Sequence, residues 1–236
     1  MNIIVTGASR GIGYELVKLF SLDSKNTVIA ISRNSQKLNQ LKNECKINNS
    51  SSKVIPIVYD LSANNSNSEL FAEIEKEVNC IDILINNAAA IVNKPFTEIN
   101  YTDLEYVFNV NVFSVFRLVR ELLPIMNENS KSHIVNISSM GGFQGASKFA
   151  GLSAYSSSKA ALVCLTECLA EEFKEKNIAF NCLALGATQT EMLEEAFPGY
   201  KAPVSAIEMA NFIANFSTGS HHFMNGKVIP VSMSNP

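Results

Sequence analysis

The chain has 236 residues, 47% hydrophobic and 17% charged, with a formal net charge of −3. That length suits one α/β domain with a large core, and the composition excludes a disordered chain. Charges are scattered, so neither a nucleic-acid surface nor a membrane surface is expected, and no apolar run approaches the roughly 18 residues of a membrane span.

Ile3–Thr6 reads as a β-branched strand at the very start, which leaves no room for a signal peptide. Ile12–Leu22 has helical apolar spacing, and Thr27–Ser32 is the next strand. Ser35–Ile47 reads as a helix, Val54–Tyr59 as a strand, Leu70–Val78 as a helix and Ile81–Asn86 as a strand. Leu104–Met126 is a long helix, apolar on much of its surface, followed by the strand His133–Ser138. The stretch Met140–Ser153, rich in Gly, Ala and Ser, reads as a loop. Ala154–Lys176 is a second long helix, then come strand Ile178–Ala184, helix Ala206–Phe216 and strand Lys227–Val231. Such alternation implies right-handed βαβ units, hence a doubly wound parallel sheet of seven strands with helices on both faces, in a single domain over residues 1–236.

Five cysteines (Cys45, Cys80, Cys164, Cys168 and Cys182) are widely spread and read as free thiols in a reducing cytosol, so the expected location is cytoplasmic. Cys164 and Cys168 share a helix face without a second pair nearby, and His133, His221 and His222 lack partners in sequence. No metal site is expected.

Between the first strand and the first helix stands Thr6-Gly7-Ala8-Ser9-Arg10-Gly11-Ile12-Gly13. Glycines there let the backbone turn sharply and approach a pyrophosphate at a helix N-terminus, whose free N–H groups and dipole attract anions. The end of the second strand selects the cofactor. A carboxylate there binds a ribose 2′-hydroxyl and favours NAD, but this chain has Ser32-Arg33. Arg33 suits a 2′-phosphate, with Arg10 as a second nearby charge, so NADP(H) is preferred over NAD(H).

Farther on, Tyr155 and Lys159 are four residues apart at the start of a helix and share one face. An ammonium about 4 Å from a phenol at an effective dielectric of ~20 is worth roughly 4 kcal/mol, which draws the phenol pKa down toward neutrality.

These motifs together resemble the short-chain dehydrogenase/reductase family over nearly the whole chain. Thr6–Gly13 is similar to the family's glycine turn, including Ser9 and Ile12; Asp60-Leu61 resembles its adenine-contacting pair. Asn86-Asn87-Ala88-Ala89 resembles its Asn-Asn-Ala-Gly signature, with Ala89 in place of Gly. Asn111, Ser139, Tyr155 and Lys159 match its four catalytic positions, with Ser138 an alternative to Ser139. Gly186, Thr188 and Thr190 match the segment that contacts the nicotinamide carboxamide, although Leu185 replaces the usual Pro.

The resemblance implies a Rossmann fold with strand order 3-2-1-4-5-6-7. It implies reduction of a small carbonyl compound, with Tyr155 as proton donor, Ser139 holding the carbonyl, Lys159 lowering the tyrosine pKa and binding ribose, and Asn111 anchoring a proton-relay water. It also implies a homo-tetramer or homo-dimer. The gap of 16 from Ser139 to Tyr155 is longer than usual for the family, and the lid region Glu191–Ser205 looks short. Phe143, Phe149, Met192 and Phe197 are candidate pocket residues. Three other readings remain open at this point: an NAD-dependent alcohol dehydrogenase, a 3-oxoacyl-carrier-protein reductase, and a cofactor-sensing regulator on the same fold.

Overall fold

In the computed structural model, which describes residues 1–63 and 68–233, strands and helices alternate along the chain. The order begins β1 (Asn2–Thr6), α1 (Gly11–Phe20), β2 (Thr27–Ser32), α2 (Ser35–Asn48), β3 (Lys53–Val58), α3 (Ser68–Glu77) and β4 (Ile83–Asn86). It continues with α4 (Tyr101–Phe108), α5 (Ser114–Leu122), β5 (Ser132–Ser139), α6 (Ser153–Glu172) and β6 (Ile178–Leu185). The last part holds β7 (Thr188–Gln189), α7 (Glu191–Ala196), β8 (Val204–Ser205), α8 (Ala206–Gly219) and β9 (Lys227–Val231).

Seven strands form one parallel sheet in the order β3-β2-β1-β4-β5-β6-β9, the doubly wound Rossmann arrangement read from the sequence, with β9 as the seventh strand. Strand residues alternate between two cores. Ile3 and Val5 of β1 pack with Leu16 of α1, Leu38 of α2 and Ile213 of α8. Ile4 points the other way, into a core with Ile74 of α3, Leu118 of α5 and Leu162 of α6. Burial on both faces is why the inner strands are almost wholly apolar. The two strands that contain proline, β3 with Pro56 and β9 with Pro230, are the two edges, where a missing N–H costs no ladder bond.

Three local expectations are corrected. The helix expected over Leu104–Met126 begins earlier, at Tyr101, because Asn100 and Asp103 form a reciprocal capping box. It is also interrupted by a π turn at Asn109–Phe113 and closes in a 3-10 turn, Leu123–Ile125, that contains Pro124. The helix expected to reach Lys176 stops at Glu172, and the segment that follows is a series of turns. The loop at 140 opens with a 3-10 turn, Met140–Gly142, because the Ser139 side chain accepts the Gly141 N–H. The region Glu191–Ser205 holds α7, capped by Thr190, and β8, which pairs with β7. Among the described residues no helix is long and apolar enough to cross a membrane.

Candidate active site

A cleft of about 740 Å³ lies across the carboxyl ends of β1, β2, β4, β5 and β6, spanning the point where strand order reverses between β1 and β4. Its floor at one end is the glycine turn. Gly7 and Gly11 have φ of 70° and 56°, a region that favours glycine. A methyl group on Gly7 would lie 2.8 Å from the Ala88 Cα. Gly13 does not line the cleft; it lets α1 seat against the turn, since a Cβ there would lie 2.5 Å from the Gly7 carbonyl oxygen. The Thr6 hydroxyl accepts the N–H groups of Asn87 and Ala88, each at 3.0 Å, and so ties the ends of β1 and β4 together.

The N-terminus of α1 has no side-chain cap, whereas α2, α4, α7 and α8 are each capped by the residue before them. The first-turn N–H groups of α1 are therefore left facing the cleft, as an anion seat requires. Ser9, Arg10, Gly11 and Ile12 surround this seat, and Asn87, Ala88 and Ala89 form the opposite side. The residues present thus fit a dinucleotide: a glycine cradle, uncapped amides and a long cleft.

At the far nucleotide end, Asp60, Leu61, Arg33, Asn34 and Lys37 line the wall. Asp60 accepts from the Ser62 N–H and hydroxyl. Arg33 and Lys37 are exposed, Arg33 just before the N-cap of α2 and Lys37 in its first turn. Arg10 departs from expectation. Its guanidinium forms a two-pronged ion pair with Glu195 of α7, with Nη2 to Oε2 at 3.0 Å, rather than standing free beside Arg33.

The opposite end gathers Ser139, Tyr155 and Lys159. Ser139 ends β5, and its hydroxyl shares a hydrogen bond with the Tyr155 phenol. Ser138 is committed elsewhere: its hydroxyl donates to the Lys159 carbonyl at 2.8 Å, because neighbouring strand residues point to opposite faces. Lys159 Nζ donates to the Ile137 carbonyl at 2.8 Å and lies 5.9 Å from the Tyr155 ring centre.

Burial pushes the Tyr155 pKa up, opposed by the bond with Ser139. The lowering expected from Lys159 is absent here, because the ammonium faces the Ile137 carbonyl rather than the phenol.

Burial also pulls Lys159 down to about 8. The unfolded chain holds that proton more tightly, so native stability rises as pH climbs from about 8 to about 10.5, by about 3 kcal/mol. Urea unfolding of wild type and Lys159→Met across this range checks it. The variant is expected to show a flatter rise, and equal slopes would contradict the assignment.

Asn111 sits in the π turn and does not line the cleft. Its Oδ1 accepts the Ala90 N–H at 2.7 Å, while Nδ2 donates to the Ala90 carbonyl and to the Ser158 hydroxyl. Ser158 in turn donates to the Tyr155 carbonyl. Asn111 therefore links the segment after β4 to the first turn of α6.

Gly186 is held by its N–H to the Val231 carbonyl at 2.8 Å, and Thr188 and Thr190 line the same wall. β6 simply continues through Leu185, which pairs with Val231. Of the four candidate pocket residues, Phe149, Met192 and Phe197 line the cleft and Phe143 does not. The sequence reading passed over Lys37, Tyr59, Ile91, Leu152 and Tyr200, which also line it. Lys37 was the most visible of these, as a cation four residues after Arg33.

Comparison with known proteins agrees with this geometry. The family described as short chain dehydrogenase matches residues 1–201. The chain is 32% identical over 240 residues to the 3-oxoacyl-acyl-carrier-protein reductase FabG of Aquifex aeolicus, covering 97% of this chain and 94% of that protein. It is 32% identical over 192 residues to the ketoacyl reductase HetN of a Nostoc species, covering 81% of this chain but only 65% of HetN. A solved structure described as a short chain dehydrogenase from Escherichia coli, complexed with NADPH, superposes with a TM-score of 0.86 at 27% identity, covering 97% of this chain and 95% of that one. With its seven-stranded parallel sheet, glycine cradle and Ser139–Tyr155–Lys159 cluster, this chain belongs to the short-chain dehydrogenase family.

Proposed function

We propose that the protein is an NADP(H)-dependent reductase that converts a small carbonyl compound to an alcohol. The observation that carries this reading is the phenol of Tyr155, bonded to Ser139 and set beside buried Lys159, in the same cleft as an uncapped glycine turn. When bound, NADPH supplies the hydride.

The chain's own residues do the rest. Ser139 holds the carbonyl oxygen of the substrate. Tyr155 gives that oxygen a proton, which prevents an unprotected alkoxide from forming in a dry site. Lys159, with a pKa near neutrality, exchanges protons readily and binds the ribose next to the phenol. Asn111 acts as a positioning residue, holding the Tyr155 turn through Ser158. Both of its side-chain N–H contacts are used, so its side chain is a strut rather than a free relay.

The choice of NADP(H) rests on Arg33 and Lys37 beside the end of β2, where Arg33 stands in place of a carboxylate and the nearby Asp60 is engaged by Ser62. The NADPH complex of the Escherichia coli relative supports it. Steady-state kinetics with NADPH and NADH test the choice. Wild type is expected to prefer NADPH, and Arg33→Asp to reduce that preference by about 10- to 100-fold, the worth of a lost charge-assisted bond. A wild-type preference for NADH would overturn it.

A further inference from the structure

We propose that the substrate is an uncharged carbonyl compound with an apolar arm, such as a medium-chain alkanone; this rests on the reductase reading above. The cleft divides by chemistry. α7 crosses it from the glycine turn, where Thr190 stands over Gly11, to the segment after β4, where Asn93 Nδ2 donates to the Ala196 carbonyl at 2.9 Å. That same segment meets the loop before α6, through the Lys94 N–H to the Gly151 carbonyl at 3.0 Å. The three segments therefore enclose the end that holds Ser139 and Tyr155.

The walls they contribute are Ile91, Phe149, Leu152, Met192, Phe197 and Tyr200. Phe149 is 55% exposed and Tyr200 50% exposed, so neither is consumed by core packing. Aromatic rings left open in a cleft wall are suited to covering an apolar ligand.

Among the described residues, Lys159 is the one cation that lines this end. The lining cations are Arg10, Arg33, Lys37 and Lys159. Arg33 and Lys37 belong to the far end, Arg10 is paired with Glu195, and Lys159 donates to the Ile137 carbonyl. Outside the lining, Lys94 is gripped by both oxygens of Asp103, and Lys148 turns to the Phe143 carbonyl. Glu191, at the head of α7, adds a negative charge to the wall. A carboxylate or phosphate on the substrate would be desolvated here without a partner, which is costly.

The test is a series of 2-alkanones from butanone to octanone, with 2-oxooctanoate and dihydroxyacetone as anionic and polar comparisons, followed by NADPH oxidation. kcat/KM is expected to rise about fourfold per methylene that reaches the walls. Phe149→Ala and Phe197→Ala are expected to flatten that rise while NADPH affinity, titrated by fluorescence, stays unchanged. Ligand-observed NMR of 2-octanone gives a second readout, with contact expected in wild type and lost in the double variant. Faster turnover of 2-oxooctanoate or dihydroxyacetone, or no dependence on chain length, would overturn the inference and leave the reductase reading standing. Octanone binding without oxidation of NADPH by any carbonyl would overturn the reductase reading while keeping the apolar site.

Discussion

Tyr155→Phe is expected to lower kcat by about 10²–10⁴ with NADPH affinity unchanged, the range typical of losing a positioned general acid. Phenylalanine keeps the ring and removes only the hydroxyl, so the helix start and the cleft wall stay intact. What disappears is the phenol hydroxyl that faces Ser139. Burial raises the phenol's pKa in the free protein, so at neutral pH the hydroxyl carries its proton, as a donor for reduction must. Ser139→Ala should cost less, because Tyr155 still reaches the carbonyl oxygen without it. Steady-state kinetics beside an NADPH titration separate the two effects, and an unchanged kcat in Tyr155→Phe would remove the proposed role.

Gly13→Ala is expected to disturb the glycine turn and lower stability. The new Cβ would lie 2.5 Å from the Gly7 oxygen and 2.6 Å from Asn87 Nδ2, so the turn, the end of β1 or the start of α1 must shift. Overpacking of this kind costs about 1–3 kcal/mol, or a fall in Tm of roughly 2–4 °C per kcal/mol for a chain of this size. The same shift breaks the amide cradle, so NADPH affinity should fall along with Tm. Gly219→Ala is the control, since nothing lies within 4 Å of a Cβ at that position. Thermal unfolding and NADPH titration of both variants check this, and a Gly13→Ala protein with wild-type values on both would contradict the packing argument.

The sheet was legible because strands buried on both faces are written as short apolar runs, such as Thr27–Ser32, whose bounds match the structure at both ends. The site was legible where chemistry demands a fixed residue type at a fixed spacing, as with the glycine turn and the Tyr155–Lys159 pair. Three features were hidden for physical reasons. The π turn at Asn109–Phe113 shifts the helical register by one residue, which apolar periodicity does not record. The β7–β8 ladder has two residues per strand, too few for an alternation pattern. The pairing of Arg10 with Glu195 joins residues 185 positions apart and depends on where α7 crosses the cleft. α7 itself did leave a signal, in the Thr190 cap followed by Glu191 and Glu194.

The lowering of the Lys159 pKa to about 8 by burial and its bond to the Ile137 carbonyl show how the fold shapes this end of the cleft before any ligand arrives. The lysine is buried on α6, one turn below Tyr155, and its own carbonyl is fixed to β5 by Ser138. That attachment sets the height of the phenol above the sheet. Packing of α6 on β5 therefore positions the Tyr155 hydroxyl, and the Asn111–Ser158 link braces the same turn from the other side.

Hydride and proton are expected to reach one carbonyl group in this cleft, the proton coming from Tyr155. The most direct measurement is deuterium transfer from NADPH labelled at nicotinamide C4 into 2-octanone, followed by mass spectrometry in wild type and Tyr155→Phe. Deuterium at the carbinol carbon of the wild-type product, appearing at least about 10²-fold more slowly in the variant, is the expected result. Unlabelled alcohol from the wild type, or equal rates in the two proteins, would contradict it.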